Sequence, residues 1–184
     1  MRKEIEVKAK VDDLEVRARK LESRGCTFSD PITQKDYVFT APDVSYEDMK
    51  IGDIFLRVRE TSRGSYFTLK QAQKYKLDNR EEETEISDPE SMKSALEIMG
   101  YTLAVKIFKT RRTATYSGLE ISLDEVDDLG SFVEVEKMTD DSVNAEVVQV
   151  HLLDFLEQCG VHKQKRELNG YDTLIYFKQK EGAQ

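Results

Sequence analysis

The sequence is poor in cysteine and histidine and has no long apolar run. Its two cysteines, Cys26 and Cys159, are too few for a disulfide framework and lack metal-ligand spacing, which points to free thiols in a reducing cytoplasm. The two histidines, His151 and His162, form no ligand-like pair and read as solvated or helix-borne polar residues. No apolar stretch approaches the roughly 20 residues that span a bilayer. The opening MRKEIEVKAK is charged from the start, so neither a membrane span nor a signal peptide is expected. The nine glycines are scattered and no GxxxxGK[ST] occurs, so a bound phosphate must be held by side chains rather than by a backbone loop. Linkers, low-complexity tracts and breaks in composition are absent as well, and residues 1–184 are expected to form a single domain.

Charge is what the chain has in quantity. At 39% hydrophobic and 35% charged it reads as a globular protein with a polar surface. The net charge of −8 argues against a nucleic-acid duplex or a membrane surface as the main partner, although local basic clusters can still bind anions.

One phrase occurs three times, as LESRG (21–25), LEIMG (96–100) and LEQCG (156–160), each closing an amphipathic stretch with a glycine suited to a helix C-terminus. The first helix is expected from about Asp12 to Arg24, with Leu14, Ala18 and Leu21 on one side. The second opens with SDPES, where Asp88 is the N-cap and Pro89 the first helical residue, and carries Met92, Ala95, Leu96 and Met99. The third opens with TDDS (139–142) and carries Val143, Val147, Val150, Leu153 and Leu156.

Most of the remainder alternates with period two, as strands do. EIEVK (4–8), IFLRVRE (54–60), SYFTLKQA (65–72), REEETEI (80–86), KIFKTRRT (106–113), LEISLDEV (119–126) and FVEVE (132–136) each put charge on one face. Alone, any of these is an ordinary half-exposed strand. Together they differ in sign: Arg57/Arg59, Lys70 and Lys109/Arg111 are basic, while Glu4/Glu6, Glu120/Asp124 and Glu134/Glu136 are acidic. A sheet with enough strands curls and, on closing, loses its edges. With helices over the outer apolar face, the charged face would line a polar tunnel.

The two signs suit different ligands. Carboxylates without histidine or cysteine fit a hard cation, Mg²⁺ or Mn²⁺. Arg57 and Arg59 on one face, joined by lysines, fit a multiply charged oxyanion such as a phosphate chain. Both kinds in one cavity make a site for a metal-bound polyphosphate.

At these residues the chain resembles the CYTH superfamily, the triphosphate tunnel metalloenzymes. EIEVK fits its E-x-E-x-K signature, followed in order by LRVR (56–59), LK (69–70), EETE (82–85), KTR (109–111), SLDEVDDLG (122–130) and VEVE (133–136), so that the likeness covers roughly residues 3–175. The resemblance implies an α+β fold: an eight-stranded antiparallel β-barrel, or tunnel, with a charged interior, helices packed outside, and a triphosphate held with one or two divalent cations. By the same resemblance Glu4, Glu6, Asp124, Glu134 and Glu136 are metal ligands. Lys8, Arg57, Arg59, Lys70, Lys109 and Arg111 hold phosphate oxygens, with Lys8 and Lys70 assisting catalysis. Glu83 and Glu85 order water or a second metal; the lesser alternative for Glu81, Glu83 and Glu120 is that they only neutralise charges across the tunnel.

Three positions depart from the family pattern. Arg80 is out of phase with Glu83 and Glu85 and is left out of the site; Val38 stands where an aromatic is usual, with Tyr37 one place early; and Gly170-Tyr171 replaces a Ser-Tyr pair. The resemblance leads first to class IV adenylyl cyclase chemistry on ATP, tilted by SDPESMKSALEIMGY and LGSFVEVEKMTDDS. The alternatives are a triphosphatase acting on thiamine triphosphate or inorganic tripolyphosphate, and a non-catalytic polyphosphate or nucleotide binder. Pairing as a homodimer is common in the family, but nothing in these residues forces it.

Overall fold

The computed structural model describes residues 2–72, 78–140 and 143–182. In chain order the elements are β1 (Arg2–Lys10), α1 (Leu14–Glu22), β2 (Ile32–Thr40), β3 (Ile54–Thr61), β4 (Gly64–Ala72), β5 (Asp78–Ile86), α2 (Pro89–Ile98), β6 (Thr102–Tyr116), β7 (Leu119–Val126), β8 (Gly130–Asp140), α3 (Ala145–Gln158), β9 (Arg166–Glu167) and α4 (Tyr171–Gly182). The α+β class is as expected, and the nine strands belong to one antiparallel sheet. The ninth is the two-residue β9, which pairs with β1 at Lys8 and Ala9. Among the described residues no helix is long and apolar enough to cross a membrane.

The chain divides into two compact units, Met1–Ile32 with Lys109–Leu168, and Thr33–Phe108 with Asn169–Gln184. In the first unit the strand order is β6-β7-β8-β1-β9. Alternation sends Ile5, Val7, Ala9, Ile121, Leu123, Val133 and Val135 to one face, where all are buried. Ala18 and Leu21 of α1 and Val148, Leu152 and Leu156 of α3 supply buried side chains to the same unit.

Helix α3 corrects the expectation in start and phase. It begins at Ala145, capped by the Asn144 side chain, which accepts a hydrogen bond from the Glu146 N–H at 2.9 Å. Asp141 and Ser142 of the TDDS run lie outside the described residues. The buried stripe is Ala145, Val148, Gln149, Leu152 and Leu156, whereas Val147 and Val150 are 51% and 55% exposed. Apolar residues occur on several sides of this helix, so spacing alone offers more than one stripe; the sheet selects one of them.

In the second unit the order is β5-β4-β3-β2-β6. Phe39, Leu56, Val58 and Leu96 form its core, with Tyr37, Phe67, Leu69, Ile86 and Met92 packed around them. Helix α2 starts as expected: Pro89 is in the first turn, and the Asp88 side chain accepts from the Ser91 N–H at 2.9 Å. Helix α4 is an addition to the three expected helices. Its Tyr171 and Ile175 are buried, and its Thr173 hydroxyl lies 3.1 Å from that of Tyr46.

The thrice-repeated phrase is one device used three times. Gly25, Gly100 and Gly160 have φ of +100°, +89° and +78°. Each is followed by a residue whose N–H returns to the carbonyl of the phrase's leucine: Cys26 to Leu21, Tyr101 to Leu96, Val161 to Leu156. The same leucines are at most 1% exposed, so one residue both closes the helix and anchors it in the core.

Candidate functional site

Antiparallel register lays the charged side chains of the first unit out in rows. Across β6, β7, β8 and β1, one row reads Arg111, Asp124, Phe132, Lys10; the next Thr113, Ser122, Glu134, Lys8; the third Thr115, Glu120, Glu136, Glu6. Glu4 follows Glu6 on the same face of β1. This face is not a solvated one. Lys8, Lys109, Asp124 and Glu134 are 2%, 4%, 0% and 5% exposed.

Burial at that level is tolerable only with partners. The Lys8 ammonium lies 3.0 Å from Glu134 Oε1 and 3.2 Å from Glu6 Oε1. Arg111 grips Asp124 with two N–H groups, Nε donating to Oδ1 at 2.6 Å and Nη2 to Oδ2, and it also donates to Glu134. Lys109 adds a longer contact to Asp124 at 3.5 Å. Burial opposes the charge on Lys8, but Glu134 and Glu6 outweigh it and hold the pKa above its ordinary value. Burial likewise works against the Glu134 carboxylate, and Lys8, Arg111 and Lys109 overcome it, holding its pKa well below the usual range.

The third row behaves in the opposite way. Burial, then the carboxylates of Glu4, Glu120 and Glu6, push the carboxyl of Glu136 up to about 9, with Arg111 pulling the other way. Glutamates abreast on three adjacent strands repel one another, and a cation among them relieves that repulsion. An oxygen-only donor set fits a hard divalent ion in chemistry. Among the described residues, however, no three acidic, histidine or cysteine side chains stand at metal-ligand spacing. Of the five residues expected to bind metal, Asp124 and Glu134 give oxygens to Arg111, Lys109 and Lys8, while Glu4, Glu6 and Glu136 belong to the crowded acidic group. Glu120, which the sequence left undecided, stands beside Glu136 in that group.

The second unit carries the remaining residues in rows of its own: Thr40, Phe55, Lys70, Glu81; Val38, Arg57, Thr68, Glu83; Asp36, Arg59, Tyr66, Glu85. Each cation here has an acid beside it. Arg59 is clamped by Asp36 through Nε to Oδ1 at 2.7 Å and Nη2 to Oδ2 at 2.6 Å. Arg57 Nη2 donates to Glu83 Oε2 at 3.2 Å, and Lys70 donates to Glu81. Glu85 is exposed beside Tyr66 on this face. The residues left open by the family pattern lie elsewhere. Arg80 pairs with Glu82, both well exposed and out of phase with Glu81, Glu83 and Glu85. Tyr37 packs against the apolar core beneath the Lys93 ammonium, 3.9 Å from its ring centroid, and Tyr171 is buried in α4.

Sequence reasoning did not select Asp36, 3% exposed, or Thr68, fully buried. Asp36 shares a strand face with Val38 and Gln34, which is a legible sign of side-chain direction but not of its arginine partner.

Residues 2–171 match the CYTH domain, and the chain belongs to that family. It is 28% identical over 162 residues, 87% of this chain and 91% of the relative, to the Methanocaldococcus jannaschii protein named "Putative adenylate cyclase MJ0240". The solved PH1012 protein of Pyrococcus horikoshii is 27% identical, with a TM-score of 0.80 over 94% of this chain and 99% of its own. HpAC1 of Hippeastrum, whose structure is described as revealing a dominant triphosphatase activity, is 19% identical with a TM-score of 0.64 over 97% of this chain and 96% of its own. At that identity the last likeness is one of fold.

Proposed function

We propose that the protein is a divalent-metal-dependent enzyme acting on a triphosphate, with the sheet rolled into a tunnel whose charged faces line the interior and residues 1–184 working as one domain. The observation that carries this reading is the pairing of opposite chemistries on one face: glutamates crowded abreast on adjacent strands beside the buried Lys8 and Lys109 and the half-buried Arg111. Membership of the CYTH family supports it.

Glu4, Glu6 and Glu136 would hold the cation, which supplies Lewis-acid stabilisation of phosphate charge when bound. Lys8, Lys109 and Arg111, with Arg57, Arg59 and Lys70, hold phosphate oxygens and neutralise charge that develops on them. Their acidic partners keep them oriented before substrate arrives, so little reorganisation is left for the reaction itself. For ATP the ribose 3′-hydroxyl attacks the α-phosphorus, loses its proton, and pyrophosphate leaves, giving cyclic AMP. This cyclase reading is favoured by the name of the Methanocaldococcus relative. The second reading, water attacking the terminal phosphorus to release orthophosphate, is favoured by the activity described for the Hippeastrum protein. Both reactions use the same cations.

Product analysis separates them. Incubation with ATP and Mn²⁺ is expected to yield cyclic AMP and pyrophosphate; ADP and orthophosphate alone establish the triphosphatase reading instead. Parallel reactions with tripolyphosphate and thiamine triphosphate identify the hydrolytic substrate. No turnover of any of the three overturns the enzyme assignment.

A further inference from the structure

Thr68 lies in the row Val38, Arg57, Thr68, Glu83, directly opposite Arg57 on one side and Glu83 on the other. It is fully buried, an uncharged residue between two charged ones. Its Oγ1 accepts from Arg57 Nη2 at 3.1 Å and donates to Glu83 Oε2 at 2.8 Å, while the same Nη2 reaches the same Oε2 at 3.2 Å. The three groups close a ring. A hydroxyl has one proton, and giving it to the carboxylate leaves its lone pairs for the guanidinium. The polarity of the ring is therefore fixed by chemistry as well as by geometry. Among the described residues, the buried Nε of Arg57 has no hydrogen-bond partner, so these contacts fasten the guanidinium at Nη2.

We infer that Thr68 is a positioning residue that sets the direction in which Arg57 presents its guanidinium to a phosphate oxygen. The inference rests on the reading of Arg57 as a phosphate contact. Threonine suits the task in two ways: its branched β-carbon restricts χ1 in a strand, and its hydroxyl is short enough to reach both neighbours. Glu83, half-exposed at its side chain, then serves Arg57 through the hydroxyl as well as directly.

The test uses the full chain with tripolyphosphate and Mg²⁺ in titration calorimetry, alongside thermal unfolding. Thr68→Val keeps the shape and loses the hydroxyl; it is expected to weaken binding about tenfold. Thr68→Ser is expected to bind within about twofold of wild type, because the hydroxyl is retained. Arg57→Ala should weaken binding at least as much, and adding Thr68→Val to it should cost nothing more. Wild-type affinity in Thr68→Val, with Arg57→Ala impaired, overturns the role of Thr68 alone. Additive losses overturn it too, since Thr68 would then act on something other than Arg57. Unchanged binding in Arg57→Ala overturns the phosphate reading on which the inference stands. If Thr68→Val does not fold, Thr68→Cys, with only a weakly hydrogen-bonding sulfur, takes its place with the same expected loss.

Discussion

Glu134 and Glu136 are two residues apart on one strand face, yet their carboxyl groups are driven in opposite directions. Glu134 lies between Lys8 and Arg111 and is held ionised; Glu136 lies between Glu6 and Glu120 and is pushed toward its neutral form. One extra step along the strand exchanges a cationic environment for an acidic one. A carboxyl raised in the folded state costs stability above its unfolded pKa, because folding must protonate it, and Gln carries no such cost. Glu136→Gln is therefore expected to be more stable than wild type by about 1 kcal/mol or more at pH 7 in chelator-treated samples. The same variant should lose metal-dependent turnover. Chemical denaturation with and without Mg²⁺ checks the sign, and equal or lower stability of the metal-free variant refutes it. At this scale the sequence displayed which residues share a face, because period-two alternation in EIEVK, LRVR and VEVE fixes it. It did not display partners. Lateral register decides that Arg111 meets Asp124 and Glu134, and that Arg59 meets Asp36, and register between strands is set by their turns and packing, not by alternation within either strand.

At the level of elements, local chemistry was legible where it is strong. Asp88 followed by proline and, three residues on, Ser91 announces a helix start, and the cap forms as written. The backbone N–H of Ser91, then its hydroxyl, hold the Asp88 carboxyl below its ordinary 3.8. A carboxyl lowered in the folded state stabilises the helix above its unfolded pKa and loses that effect as pH falls through the folded one. Asp88→Asn, which keeps an acceptor but does not titrate, should therefore show a flatter loss of stability below about pH 4 than wild type. Thermal midpoints between pH 2 and 6 measure this, and parallel acid limbs would refute the cap's contribution. Helix α4 was not foreseen because YDTLIYFKQKEG buries only Tyr171 and Ile175, too narrow a stripe to stand out beside its charged residues. Strand β2 was missed for a related reason: Val38 and Phe39 are both buried, which interrupts the alternation around Asp36.

The whole molecule is interleaved. Each unit takes residues from two separated segments, and β6 gives its first half to one unit and its second half to the other. Removing the residues after Leu168 deletes α4 and, with it, the buried Tyr171 and Ile175 and the Thr173 contact to Tyr46, at an expected cost of about 3 kcal/mol to the second unit. Hydrogen exchange of that truncated chain should speed up in β2, β3 and β4 before it does in β1, β7 and β8. The reverse order, or a uniform change, refutes the assignment of α4 to the packing of the second unit.

The register of β1 on β8 also bears on synthesis. Glu6 pairs with Glu136, so this pairing cannot form until β8 has left the ribosome, long after β1. Until then the edge of β1 that β8 will cover stays open, with Ile5, Val7 and Ala9 destined for the core. Its alternating charges, Glu4, Glu6 and Lys8, keep that waiting strand soluble and discourage pairing with another nascent chain. The residues proposed to face a ligand thus have earlier work as guardians of an open strand edge.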